Sequence, residues 1–287
     1  MGASQSPEKK TSVVKQMKRA VPNLSCEEKE IWQSVKKLVL EETLENVPWP
    51  CGLLALYLSD NFDQPLENVV LLSTLQTLSF GCNFNRPLNK VVLPRSLQNL
   101  TFGSQFNQRM EKVDLPSSLK TLRFGYYFNR PMQKVTLPSS LEILRFGFFF
   151  DQPLDKVVLP RSLRRLTFDG HFNQSMDKVG LPSGLQILIF GFNFRKPIEK
   201  VSFPSGLQVL EFGQCFNAPL KEVQLPRTLQ SLTFGDHFNQ PLEDVSFPST
   251  LQNLTFGDHY NHSMEKVVLP SGLTPKHGTW FNKGLAQ

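Results

Sequence analysis

Aromatic and arginine side chains recur at matched positions in the middle of this chain, and together they have the chemistry of a binding patch. Arg123, Tyr126 and Tyr127 are followed 22 residues later by Arg145, Phe148 and Phe149. Arg165, Ile187, Ile189 and Phe192 continue the series, with Arg164 and Ile143 beside it. Elsewhere the equivalent positions hold small or polar residues such as Ser79, Thr101, Ser104, Gln105, Thr233 and Thr255. Exposed aromatics with arginine form the hot spots of protein interfaces. The patch is therefore expected to take a protein partner of unstated identity. A nucleic-acid-binding alternative uses the same residues, with bases stacked on the rings and phosphates held by arginine. Glu142, Glu211 and a nearly balanced body charge leave no long basic groove, which ranks this alternative second.

Three other constellations carry less. Asp236, His237, Asp258, His259 and His262 would approach one another in stacked units, but Gly-Asp-His is a variant of a repeated motif on an open column. No metal or cofactor is expected there. Lys90, Lys112, Lys134, Lys156, Lys178 and Lys200 stand in register, each preceded by Asn89, Glu111, Gln133, Asp155, Asp177 or Glu199. Interspersed acids make this a solvated face of low energetic weight. No Ser-His-Asp, Cys-His or glycine-rich phosphate loop occurs at a useful spacing, and no carboxylate group suits glycoside hydrolysis, so no enzyme is expected. Cys26, Cys51, Cys82 and Cys215 show no paired spacing and read as thiols in a reducing compartment.

The first residues suggest a tether. Met1-Gly2-Ala3-Ser4-Gln5-Ser6 fits the N-myristoylation pattern with Gly2 as acceptor, although Pro7 departs from it. One acyl chain holds a membrane only marginally, and Lys9, Lys10, Lys15, Lys18 and Arg19 would assist at an anionic surface. These residues account for most of the net charge of +6. An apolar signal segment and any run of 18 apolar residues are missing. The chain is expected in the cytoplasm, in part peripheral on a membrane.

All of these residues are placed by a 22-residue block repeated ten times from Leu53 to Gly272 without insertion or deletion. Its template is L-x-x-L-x-F-G-x-x-F-N-x-P-L-x-x-V-x-L-P-x-x. A fixed period of this length means stacked units that bury their apolar faces only against neighbours. The repeat places 20 of the 24 Phe, so the high aromatic content needs no other explanation. The alternation in L-x-x-L-x-F and in V-x-L-P predicts two short strands per coil. The Gly suits a tight bend or positive φ, and the Pro stops the second strand. The Asn column (Asn85, Asn107, Asn129, Asn173, Asn217, Asn239, Asn261, with Asp63 and Asp151) is expected to satisfy backbone in the turns. It is also expected to point inward, which makes the glycosylation-like triplets at Asn173 and Asn261 fortuitous. Arg195 breaks the column, so coil 185–206 should differ locally. Residues 1–22 read as a disordered basic leader. Residues 23–52 read as a cap built on a helix from Ser25 to Glu45, with Ile31, Trp32, Val35, Leu38 and Val39 as its apolar stripe. Residues 53–272 form the solenoid, and 273–287 a degenerate coil in which Trp280 closes the end.

The run Phe238-Asn239-Gln240-Pro241-Leu242, preceded by Leu232-Thr-Phe-Gly and followed by Phe247-Pro248-Ser249, resembles the FNIP repeat, a relative of leucine-rich repeats. The third position here is Gln or Arg rather than Ile, and the Pro is replaced at Arg109, Ser175 and Ser263. The resemblance covers about 53–272 in unbroken phase. It implies a mainly β, right-handed, leucine-rich-repeat-like β-solenoid of ten 22-residue coils, here with an N-terminal capping helix. It also implies a role in protein interaction and supplies no catalytic residue.

Overall fold

The computed structural model describes residues 14–17, 35–40 and 49–277. Wherever L-x-x-L-x-F turns an apolar residue inward at every second position, the coil contributes one short strand. The strands are β1 (Val14–Met17), β2 (Lys37–Leu40), β3 (Ala55–Leu58), β4 (Thr77–Ser79), β5 (Asn99–Thr101) and β6 (Thr121–Arg123), followed by β7 (Ile143–Phe146), β8 (Arg165–Phe168), β9 (Ile187–Ile189), β10 (Val209–Glu211), β11 (Ser231–Thr233) and β12 (Asn253–Thr255). They form one 12-stranded parallel sheet in sequence order. From β3 to β12 the partners step by the repeat length, as in Leu56↔Leu78 and Leu232↔Leu254. The architecture is a mainly β parallel solenoid.

Four expectations are corrected. Where the structure describes part of the segment Ser25–Glu45, it forms a strand rather than a helix. β2 pairs with β3 through Leu38↔Leu56 and Leu40↔Leu58, eighteen residues apart instead of 22. Val35, Leu38 and Leu40 repeat the inward pattern of a coil and are at most 5% exposed. The open edge of β3 offers a full row of backbone partners, and pairing there outweighs the helical stripe. The other residues of that segment lie outside the described set.

The V-x-L-P segment is not a second strand. Turns close on each side of it, with Val91 N–H donating to Leu88 O and Leu97 N–H to Pro94 O, both at 3.0 Å. The spacing of the phenylalanine columns gives the reason. Strands lie about 4.8 Å apart. Phe102 and Phe124, at the strand ends, have ring centroids 5.5 Å apart. Phe106 and Phe128, beyond the turn, are 6.1 Å apart. The coils therefore splay apart with distance from the sheet, which disfavours a second ladder away from it.

The repeated Gly does not serve positive φ, which among the described glycines occurs only at Gly272. A Cβ at Gly103 would collide with the carbonyl of Gly81, and one at Gly125 with that of Gly103. The coils touch backbone to backbone there, and only hydrogen fits.

Two side-chain ladders tie the coils together. Asn107 N–H donates to Asn85 Oδ1 (2.9 Å), and Asn129 N–H to Asn107 Oδ1 (3.0 Å). The same bond recurs at Asn85, Asp151, Asn173, Arg195, Asn239 and Asn261. The column thus satisfies turn backbone as expected, but it lies at the surface rather than inward, Asn173 half-buried and Asn261 exposed. The second ladder has no counterpart in the sequence reading. Ser96, Ser118, Ser140 and Ser162 each end a coil and donate a hydroxyl, at 2.7 Å, to the carbonyl of the leucine that opens it 21 residues earlier. Thr228 and Thr250 do the same at 2.8 Å. Inside, stacked Phe pairs such as Phe102 and Phe106 (3.8 Å, 13°) fill each coil. At the far end Lys276 bridges Thr255, one residue short of the repeat, and the His277 ring stacks on Phe256 at 5.3 Å.

Candidate interaction surface

The outer face of a strand carries the residues flanking each inward Leu, and the turn after the Gly carries two more at the rim of the sheet. Arg123 and Arg145 are register partners on β6 and β7. Tyr126, Tyr127, Phe148 and Phe149 stand on the rim of the same two coils. Their backbone is held between coils, with Phe149 N–H donating to Tyr126 O at 2.9 Å. The rings make a two-by-two block. Tyr126 lies parallel to Phe148 (4.8 Å, 6°) and Tyr127 to Phe149 (5.2 Å, 7°). The columns meet edge to face, Tyr126 against Tyr127 at 76° and Phe148 against Phe149 at 77°. Parallel and T-shaped contacts are the favourable aromatic geometries, so the four rings support one another. Tyr126 and Tyr127 are each 42% exposed, whereas Phe148 and Phe149 are half-buried.

The next coil completes the block with residues that sequence reasoning passed over. Asp169 stands where the other inner coils have Gly. Its carboxylate accepts a forked pair of bonds from Arg145, from Nε at 3.2 Å and Nη2 at 3.1 Å. Gly170 has no side chain, and a Cβ there would strike the Phe148 ring. His171 leans on both phenylalanines, with centroids at 5.0 and 4.7 Å. The signal was present as a triple departure at Asp169, Gly170 and His171. Small and polar residues are common at these positions in other coils, so the departure stands out only against the rings of the coil before it.

The remaining patch residues are less unified. Arg165 is exposed at the start of β8, and its Nε donates to Thr167 Oγ1 at 3.4 Å. Ile187 and Ile189 are half-buried on the outer face of β9. Phe192 is 47% exposed but makes no ring contact with the block, because coil 163–184 between them presents Gly170 and His171.

The FNIP Repeat family model matches residues 62–105, 84–112, 106–149, 150–193, 192–237 and 238–275. The chain belongs to the FNIP repeat family. Among solved structures the FNIP solenoid is similar to CroV588, described as a novel circular LRR protein, with 40% identity and a TM-score of 0.80. That match covers 87% of this chain and 38% of the other, so the chain spans well under half of CroV588. An internalin, inlF, from Listeria monocytogenes str. 4b F2365 shares the fold, with 11% identity, a TM-score of 0.50 and coverage of 88% and 89% of the two chains. No curated protein matches the FNIP chain.

The other constellations fall elsewhere on the FNIP coils. The His237 and His259 rings lie 5.4 Å apart and tilted by 46°, while His259 Nδ1 and His262 Nε2 meet the carbonyls of Asp236 and Asn239. Among the described residues no three His, Cys, Asp or Glu are grouped to hold a metal. The lysine row is exposed, and Lys90 pairs with Glu67 at 3.0 Å. It borders open hollows of about 400 Å³, lined by Arg109, Lys112 and Arg130, and about 610 Å³, lined by Lys134, Lys156 and Arg161. Among the described residues no helix is long and apolar enough to cross a membrane. Gly2, Lys9, Lys10, Lys18 and Arg19 lie outside the described residues, and Lys15 falls within β1.

Proposed function

We propose that this FNIP solenoid is a non-enzymatic scaffold that binds a protein partner through the aromatic block of coils 119–140 and 141–162. One observation carries the reading: the block is built by coordinated departures in three successive coils. Tyr126 and Tyr127 begin it, Phe148 and Phe149 extend it, and Asp169 and Gly170 hold Arg145 and make room for Phe148. A partly exposed aromatic surface whose rings support one another loses little conformational entropy on binding. Arg123, Arg165, Ile187, Ile189 and Phe192 extend the surface along the solenoid.

The test replaces Tyr127, Phe149 and Arg145 together with Ala and compares captured proteins with those held by the unaltered chain. Loss of a specific protein from the folded variant supports the site. Unchanged capture removes it. Capture of nucleic acid that falls steeply between low and moderate salt would favour the alternative occupant. The fork between Arg145 and Asp169 weighs against that alternative, since it occupies a guanidinium that phosphate would need.

The Met1–Ser6 pattern and its basic neighbours support a peripheral attachment to anionic membranes from the cytoplasmic side. Intact mass after expression in a eukaryotic cell reads this directly, and a Gly2 without added acyl mass removes it.

A further inference from the structure

We propose that the boundary between coils 185–206 and 207–228 holds a binding notch for a single oxyanion, independent of the aromatic block. At eight coil boundaries the turn N–H is received by an Asn or Asp Oδ1 of the preceding coil. At this boundary the preceding residue is Arg195, which has no oxygen in its side chain. The N–H of Asn217 therefore meets no acceptor in the neighbouring coil. A second latch is missing at the same place. The residue after the Asn reaches back in other coils, as Gln174 Nε2 does to Asp151 Oδ1 at 2.9 Å and Gln240 Nε2 to Asn217 Oδ1 at 3.1 Å. Here that residue is Ala218, which reaches nothing.

What stands in the gap is a cation. The Arg195 guanidinium lies 3.4 Å from Cys215 Sγ, two residues before the Asn217 amide, and Cys215 is 6% exposed. Asn217 itself is exposed, so the notch opens to solvent. A backbone donor that no side chain of the preceding coil receives, beside a guanidinium, is the arrangement that takes a carboxylate or phosphate oxygen. Lys196, half-buried in the same turn, adds positive charge. The ligand would occupy the position that an Asn or Asp Oδ1 fills at those eight boundaries. A side-chain or terminal carboxylate of a peptide has this chemistry, and so does a phosphate.

The experiment uses the full chain with isotope-labelled asparagine, titrated with acetate or inorganic phosphate at constant ionic strength while amide resonances are followed. The Asn217 amide is expected to move saturably with acetate, and the Asn129 and Asn239 amides, whose acceptors are intact, to stay in place. Arg195→Ala should weaken the response by about tenfold, the loss of one charge-assisted hydrogen bond. Arg195→Asn restores the missing acceptor, so it should abolish the response and raise the melting temperature. Movement with phosphate but not acetate keeps the site and assigns it to phosphate. An Asn217 amide that moves with neither, or equally in Arg195→Asn, overturns the proposal. If Arg195→Ala fails to fold, the unaltered chain and Arg195→Asn still decide between these outcomes.

Discussion

Arg145 and Asp169 are joined across a coil boundary by a forked contact of 3.2 and 3.1 Å, and Asp169 stands where the repeat requires Gly. Glycine in this column keeps Cβ atoms away from the carbonyl of the previous coil. Coil 163–184 gives up that fit and gains an anion opposite Arg145. β7 and β8 each run one residue longer than their neighbours, ending at the paired Phe146 and Phe168.

Asp169→Gly restores the repeat and removes the fork. The pair is partly exposed, with side chains 52% and 29% accessible. Its loss should change unfolding free energy by less than about 1 kcal/mol in either direction. Capture of the partner should nevertheless fall, because Arg145 loses its fixed direction. Denaturant unfolding and binding measured on the same sample separate the two effects.

Gly103→Ala should be far more damaging than its size suggests. The added methyl meets the Gly81 carbonyl, and neither backbone can yield without shifting its coil. A cost of roughly 1–3 kcal/mol is expected, the scale of overpacking. Gly180→Ala is the control, since nothing lies within 4 Å of a Cβ there. Chemical denaturation of both variants reads the contrast, and equal stabilities would contradict the close approach of the coils.

Asn107→Ala removes the acceptor of the Asn129 N–H. It should cost about 1 kcal/mol, the net value of one hydrogen bond. Asn107→Asp should cost much less, because Asp63 and Asp151 already serve as acceptors in the same column. Melting temperatures of the pair test the ladder directly.

Acidification should loosen the C-terminal end. Burial lowers the pKa of His277 from its ordinary 6.5, since the charged ring is disfavoured against Phe256. The unfolded chain then binds the proton first as pH falls. This contribution is complete above about pH 6.5 and is lost as pH drops through the lowered folded value. Thermal unfolding from about pH 8 to pH 5 should show the dependence, and His277→Phe should remove that part of it.

Alkaline titration should leave one phenol behind. Burial raises the pKa of Tyr260 to about 12, and its hydroxyl donates to Met264 Sδ at 3.3 Å. The unfolded chain ionises this group near 10, so its stabilising effect is present below pH 10 and lost toward 12. Phenolate absorbance should show one tyrosine titrating late, and Tyr260→Phe should abolish that step.

The solenoid and its inward columns were legible because each coil repeats the same burial problem. Leu97, Leu100, Phe102 and Phe106 could face only one way in a stack of such units. Val35 and Leu38 fit both a helical stripe and a strand, which makes the sequence ambiguous there, and the edge of β3 selects the strand, turning Leu40 rather than Val39 inward. The second strand was misread because fanning of the coils is invisible in a single repeat. Asp169 and Gly170 could have been recognised only by asking what their neighbours one coil earlier require. The Ser96 and Ser118 ladder hid in positions written as variable, since Ser, Thr and Gly share no hydropathy signature.

Every bond between coils described above joins residues about one repeat apart, so the described residues have no long-range fastening. A pull on its two ends would load the coil boundaries in series, and extension would proceed in steps of one repeat. The boundary beside Arg195, lacking both side-chain latches, would yield first.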